Sequence, residues 1–230
     1  MKKNKIDVYK DTAVLTPNKQ VELQDGGQKL SGKNIIIATG TRPRTIPGLE
    51  LDGVNVITSR EALELKTVPS PIVIVGASAI GCEFATIYRA YGADVTILEG
   101  LPHILPKEDE KTSVTIEKSF QKQGIQFKTG ALVERAAKVD GKTVLHVKTA
   151  QGVEQISAEK VLVAIGVSPN SENIGLEALG VKTTRGAIDT NDFMQTNVPN
   201  VYAIGDVTMK LALAHVASAQ GVLAVEHAAG

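Results

Sequence analysis

The stretch Pro71-Ile-Val-Ile-Val-Gly76-Ala-Ser-Ala-Ile-Gly81-Cys-Glu-Phe-Ala-Thr-Ile-Tyr-Arg-Ala-Tyr91-Gly-Ala-Asp-Val95-Thr-Ile-Leu-Glu99 decides the fold. Ile72 to Val75 are continuously β-branched, the composition of a parallel strand buried on both faces. Gly76 ends that strand. From Ala79 to Tyr91 the apolar residues Ile80, Phe84, Ile87, Tyr88 and Tyr91 recur at helical spacing, and Gly92 is placed to cap the C-terminus. Val95 to Leu98 is a second short strand, closed by Glu99. Strand, glycine turn, helix, strand and terminal acid together read as a dinucleotide-binding unit.

Each residue type answers a chemical need. Gly76 permits the tight turn, Gly81 lets helix and strand pack closely, and the free amides of the helix that starts at Ala79 receive a pyrophosphate. Glu99 is placed to accept hydrogen bonds from the ribose hydroxyls and repels a 2′-phosphate, so NAD(H) is favoured over NADP. Ser78 stands where the fingerprint has its middle glycine. Its Cβ would crowd the pyrophosphate and its hydroxyl would donate to it; the sequence leaves both readings open.

Working outward, 230 residues with 43% hydrophobic content make a soluble globular chain with a packed core. Charges balance at 25 against 25, so no global field draws the chain to nucleic acid or an anionic membrane. The basic start Met1-Lys-Lys-Asn-Lys is not followed by an apolar run, and no stretch approaches a transmembrane helix. The single cysteine, Cys82, excludes an intrachain disulfide and fits a reducing compartment, so the expected location is cytoplasmic. No metal ligands are assigned.

Before the central unit, Val8-Tyr9, Ala13 to Leu15 and Val21 to Leu23 alternate with turn residues and predict a small antiparallel meander over 7–30. Met1 to Lys10 reads as a solvated strand edge. Ile35 to Ala38 is a buried strand entering the turn at Gly40, and Thr58 to Glu61 is a capping box. After Glu99 a helix is predicted over 108–124, with Val114, Ile116 and Phe120 inward, and Ile125 to Phe127 resumes the parallel sheet. Stretches 131–139, 143–149 and 153–156 form a second meander, closed by Val161-Leu-Val-Ala-Ile-Gly166-Val-Ser-Pro-Asn170. That segment repeats the pattern of Ile35-Ile-Ile-Ala-Thr-Gly40-Thr-Arg-Pro-Arg44. The first copy closes a unit with no glycine fingerprint of its own upstream, so one complete nucleotide domain is expected between pieces of another that begins before Met1. Tyr202-Ala-Ile-Gly-Asp206 is a short strand with an acid at its edge, and 211–229 is an alanine-rich helix.

With Ala38-Thr-Gly40, Gly76 to Glu83, Glu99, Ala164-Ile-Gly166 with Pro169-Asn170, Tyr202 to Asp206 and Leu213-Ala-His215 quoted, the chain resembles the pyridine nucleotide-disulfide oxidoreductase family, most of all its dihydrolipoyl dehydrogenase branch. The resemblance covers essentially the whole chain. It implies an α/β fold: a Rossmann-like three-layer dinucleotide-binding domain with an antiparallel meander over 58–190, flanked by a partial FAD-binding-like domain formed by 1–57 and 191–230. It implies that Gly76, Ala79, Ile80, Gly81, Glu83, Glu99, Val133 and Gly166 line the NAD(H) site. It also implies that Thr39, Gly40, Thr41, Asp206, Ala212, Leu213, Ala214 and His215 touch FAD. In that family Asp206 would sit on the ribityl chain, and the helix N-terminus near Ala214 would face the flavin pyrimidine.

Three family features have no counterpart here: the FAD fingerprint, the redox cysteine pair and the interface domain with its acid-base residues. Val167 also stands where many members carry Arg. The surviving function is therefore NADH binding with, at most, hydride transfer to flavin, and no catalytic residue is assigned. The alternatives are a non-catalytic NAD-binding module and one half of a split flavoprotein completed by a second chain. Self-association also answers the apolar surface left at the missing segments.

Single residues carry plainer readings beside these. Cys82 is a packed small residue or, at a helix N-terminus, a thiol of lowered pKa. Asp206 is a flavin ligand or a capping acid for the next helix. Glu83 is a solvated charge or a nicotinamide neighbour, His215 a helix-start residue or a flavin neighbour, and His103 and His227 read as surface residues.

Overall fold

The computed structural model describes residues 2–230. The expected strand edge over Met1 to Lys10 thus has one residue, Met1, outside the described residues; Lys2–Asn4 form a short 3-10 turn and Lys5 to Thr12 enter no strand. Val8 and Tyr9 are exposed. The meander is instead built from β1 (Ala13–Leu15), β2 (Gln20–Leu23) and β3 (Lys29–Ser31), all antiparallel. Of these residues only Leu15 and Leu23 are buried, so Val8-Tyr9 has no apolar surface to complete and the strand shifts to the far side of the Asp25-Gly-Gly turn. The next strands are β4 (Ile35–Ile37) and β5 (Thr41–Pro43).

The chain divides into two units, Met1–Arg42 with Ser168–Gly230, and Pro43–Val167. These boundaries differ from 57/58 and 190/191. Residues 43–57 join the second unit because Leu49 and Val56 fill its core, whereas Leu176 and Ile188 pack with Leu15 in the first.

In Pro43–Val167, β6 (Val56–Ile57) leads into α1 (Ser59–Glu64), which has the capping box read from sequence: Glu61 accepts the Thr58 amide at 2.8 Å. Then follow β7 (Ile72–Val75), α2 (Ala79–Ala90), β8 (Val95–Leu98), α3 (Glu110–Gln123) and β9 (Gln126–Lys128). The antiparallel meander β10 (Leu132–Val139), β11 (Lys142–Thr149) and β12 (Gly152–Ala158) precedes β13 (Lys160–Val163).

The main sheet is parallel, in the order β6-β13-β7-β8-β9. Strand alternation divides its apolar residues between two faces. Ile72, Ile74, Ile97 and Leu162 pack on Phe84 and Tyr88 of α2 and Phe120 of α3. Val73, Val75, Leu98, Val161 and Val163 pack on Val133, Leu145 and Val147 of the meander. A strand that reads as continuously apolar is thus one covered by helices on one side and a meander on the other. Each fully buried Ile or Leu contributes roughly 1.5–3 kcal/mol. Four residues depart from the helical pattern: Ile87, Tyr91 and Val114 are exposed, while Ser113 is buried.

β14 (Val167–Pro169) pairs with β5. In the other unit, α4 (Leu176–Leu179), β15 (Thr183–Thr184) and β16 (Ala187–Ile188) precede β17 (Val201–Ala203). β17 pairs in parallel with β4, with Val201 opposite Ile35 and Ala203 opposite Ile37. Val201 and Ala203 face Leu15, Ile37 and Leu176, while Tyr202 packs on Ala224 of α5 (Ala214–Ala229). That helix begins at Ala214, three residues later than the sequence pattern places it.

Candidate functional site

The turn between β7 and α2 is shaped by what surrounds it. Gly76 has φ +101°, and a Cβ there would lie 2.6 Å from the Ala164 carbonyl oxygen. A Cβ on Gly81 would meet the Gly76 carbonyl oxygen and the Ala164 side chain. These two positions need glycine for backbone conformation and close approach respectively. Ser78 is the N-cap of α2: its Oγ accepts from the Gly81 amide at 3.4 Å and donates to the Ala164 carbonyl at 2.8 Å. The first-turn amides of Ala79 and Ile80 have no carbonyl four residues back within the helix. Ala79 is exposed and Ile80 half-buried. Two adjacent donors at the positive end of a 12-residue helix are the donor set a pyrophosphate requires.

Glu99 is buried at the end of β8, and its two oxygens hold the neighbouring loops. Oε2 accepts the Ala77 amide at 2.7 Å and Oε1 accepts the Leu101 amide at 2.9 Å. A carboxylate has about four acceptor positions, so lone pairs remain for hydroxyl donors. The Ala77 bond joins the acid to the glycine turn, which brings Gly76 to Gly81 and Glu99 into one site. Gly166 follows two residues after Ala164, with its carbonyl accepting the Arg44 amide at 3.0 Å. Val133, on β10 of the meander, is buried against the main sheet, and Glu83 is exposed on α2.

Two participants escape sequence reading. The Ala164 carbonyl anchors Ser78, and the Leu101 amide anchors Glu99; both are backbone groups, for which only the Ala-Ile-Gly repeat and the position after Glu99 gave any signal. The reading of Cys82 as a thiol of lowered pKa is overturned. Burial, with the charges of Glu99 and Glu83 adding, pushes it up to about 11.

In the unit Met1–Arg42 with Ser168–Gly230, Asn170 pins the turn at Gly40. Its amide donates to the Gly40 carbonyl at 2.9 Å, its Nδ2 to the Thr39 carbonyl at 2.9 Å, and its carbonyl accepts the Thr39 hydroxyl at 2.6 Å. Thr41 Oγ lies 3.5 Å from Asp206 Oδ2. Asp206 sits in a 3-10 turn whose Gly205 amide donates to the buried Gln220 at 2.7 Å. Asp206 does not cap α5: Leu213 is the N-cap, and no side chain caps that end. Ala212, Leu213, Ala214 and His215 are all exposed. His227 is more than a surface residue, since Nδ1 is 2.9 Å from the Tyr202 hydroxyl and Phe193 stacks on the ring at 4.6 Å.

A family model described as pyridine nucleotide-disulphide oxidoreductase matches residues 1–221. The chain belongs to that family. Relatives of this family member include the dihydrolipoyl dehydrogenase of Rhizobium etli, 41% identical over 248 residues and matching all of this chain and 52% of its own length. That of Mycobacterium leprae is 46% identical over 237 residues, covering all of this chain and 50% of the relative. The chain spans about half the length of the curated relatives it matches. Among solved structures, LpdA from Mycobacterium tuberculosis aligns at TM-score 0.82 and 29% identity, covering 92% of this chain and 46% of that one. The Cu(II) complex of the HOCl-induced flavoprotein disulfide reductase RclA from Escherichia coli aligns at 0.88 and 28%, covering 98% and 51%. The pyridine nucleotide-disulphide oxidoreductase fold read from the sequence is therefore the fold of the chain. Among the described residues no helix is long and apolar enough to cross a membrane.

Proposed function

We propose that the unit Pro43–Val167 binds NAD(H), with its pyrophosphate on the Ala79 and Ile80 amides and its adenosine ribose on Glu99. The observation that supports this reading is the hydrogen bond from the Ala77 amide to Glu99, which ties the glycine turn to the acid at the end of β8. Within it, Gly76 and Gly81 keep the turn close to β13, and the Glu99 carboxylate selects a free 2′-hydroxyl over a 2′-phosphate. Bound there, the dinucleotide supplies a transferable hydride. The chain is read as the NAD(H)-binding portion of a dihydrolipoyl dehydrogenase-like oxidoreductase, with no dithiol step of its own because it holds one cysteine. The single thiol supports a reducing, cytoplasmic setting.

The other unit is proposed to offer part of a FAD site at Thr39 to Thr41, Asp206 and Ala212 to His215. The uncapped start of α5 supports it, since those amides suit an electron-rich flavin edge. A complementing chain is a second reading, supported by the open edge of β4. Bonds from the Ile35 amide to Asn200 and from the Ile204 amide to the Ile37 carbonyl turn Ile35 and Ile37 toward β17, so the Ile36 backbone groups point away from it.

Titration calorimetry tests the NAD(H) site. The parent chain binds NADH more tightly than NADPH, and Glu99→Ala weakens NADH by about tenfold or more while changing NADPH far less. A parent chain that prefers NADPH, or equal losses for both nucleotides, would remove the Glu99 assignment.

A further inference from the structure

The serine in place of the fingerprint's middle glycine does not aim its proton at a ligand. Ser78 Oγ donates to the Ala164 carbonyl at 2.8 Å and receives the Gly81 amide at 3.4 Å, so one hydroxyl bridges the turn, the first turn of α2 and the residue that follows β13. Ala164 is itself fixed, its amide donating to the Val75 carbonyl at 2.7 Å. The same Ala164 carbonyl is the atom that a Gly76 side chain would strike. Glu99 holds the turn at Ala77 from the other side. The segment 76–81 is therefore tied at the Ala77 amide by Glu99 and at the Ser78 hydroxyl by Ala164, and the backbone amides left without a tie are those of Ser78, Ala79 and Ile80.

We infer that Ser78 is a positioning residue that pre-forms the pyrophosphate turn, holding the Ala79 and Ile80 amides in their binding arrangement before the dinucleotide arrives. The inference rests on the NAD(H) reading of this site. A glycine at 78 would give the turn more backbone freedom and remove its anchor on Ala164, so ordering the turn would fall on the ligand. The serine thus acts through the backbone amides, without itself touching the phosphates.

The test is NADH titration calorimetry on the full chain and on Ser78→Gly, Ser78→Ala and Ser78→Thr, with thermal melting of each recorded in parallel. Ser78→Gly and Ser78→Ala are expected to weaken NADH by about tenfold, with the loss for glycine appearing in the entropy of binding. Ser78→Thr keeps the hydroxyl and restores the affinity to within about threefold of the parent. Rescue by threonine separates anchoring by the hydroxyl from the loss of any small side chain. If the parent binds NADH and Ser78→Gly binds it as tightly or more tightly, the serine is no anchor and the inference falls alone. Equal weakening in all three variants, threonine included, also overturns it. A parent chain that binds no NADH removes the NAD(H) reading and this inference with it.

Discussion

The two units use the same kind of apolar strand and finish it differently. In Pro43–Val167 the strand Ile72–Val75 has a neighbour on each side, helices over Ile72 and Ile74, and a meander over Val73 and Val75. All four of its residues are buried. In the other unit the equally apolar Ile35–Ile37 has one neighbour, β17, and its middle residue, Ile36, is 38% exposed. Its helix α5 leaves Val222 and Val225 in solvent. A β-branched run reports that a strand exists; whether it is finished depends on residues distant in sequence. The proposed binding turn lies in the finished unit, where Glu99 holds the Ala77 amide and the Ala164 carbonyl holds Ser78.

The sharpest way to break this contrast is to put a side chain where the finished unit has no room. Gly81→Val places a Cβ against the Gly76 carbonyl, which is backbone and cannot move aside. It is expected to destabilise Pro43–Val167 by more than about 4 kcal/mol and to abolish NADH binding. Urea unfolding followed by far-UV circular dichroism checks the first effect, and calorimetry the second. Parent-like stability would mean that helix and strand are further apart than described.

Next in size, Ile74→Ala removes a fully buried side chain from the helical face of the sheet and should cost about 2–5 kcal/mol. The matching Ile36→Ala in the other unit should cost less than about 1 kcal/mol. Comparable losses at the two positions would show that something covers Ile36 in solution.

The smallest effect concerns pH. The folded pKa of Cys82, about 11, lies above the ordinary thiol value of 9.0. Burying the neutral thiol therefore contributes stability that is fully present below pH 9 and is lost as pH rises through 11. Urea midpoints should fall between about pH 8 and about pH 10.5, and the fall should be shallower in Cys82→Ala. An identical slope in that variant would mean the thiol does not carry the effect.

Much of the fold was legible because periodicity and turn chemistry are local. The Ile72 to Glu99 unit, the Thr58 capping box and the second meander are all written within short windows. What stayed hidden depends on distant partners. Val8-Tyr9 has the composition of a strand but no apolar layer to cover, so the meander closes with Lys29–Ser31. Val114 falls on the helical stripe yet faces solvent, while the polar Ser113 is buried and donates to the Leu105 carbonyl at 3.4 Å. At the candidate site the glycines and Glu99 could be named from spacing alone. The partners of Ser78 and Glu99 could not, because they are the backbone groups of Ala164, Ala77 and Leu101, and any residue there would look the same in sequence.

The most direct test of where the dinucleotide binds is amide hydrogen exchange by mass spectrometry, with and without NADH. Saturating NADH should slow exchange across Gly76 to Glu83 and at Glu99 to Leu101, and leave Thr39 to Arg42 unchanged. Protection confined to the Thr39 to Arg42 turn, or absent from Gly76 to Glu83, would contradict the assignment of the site to the finished unit.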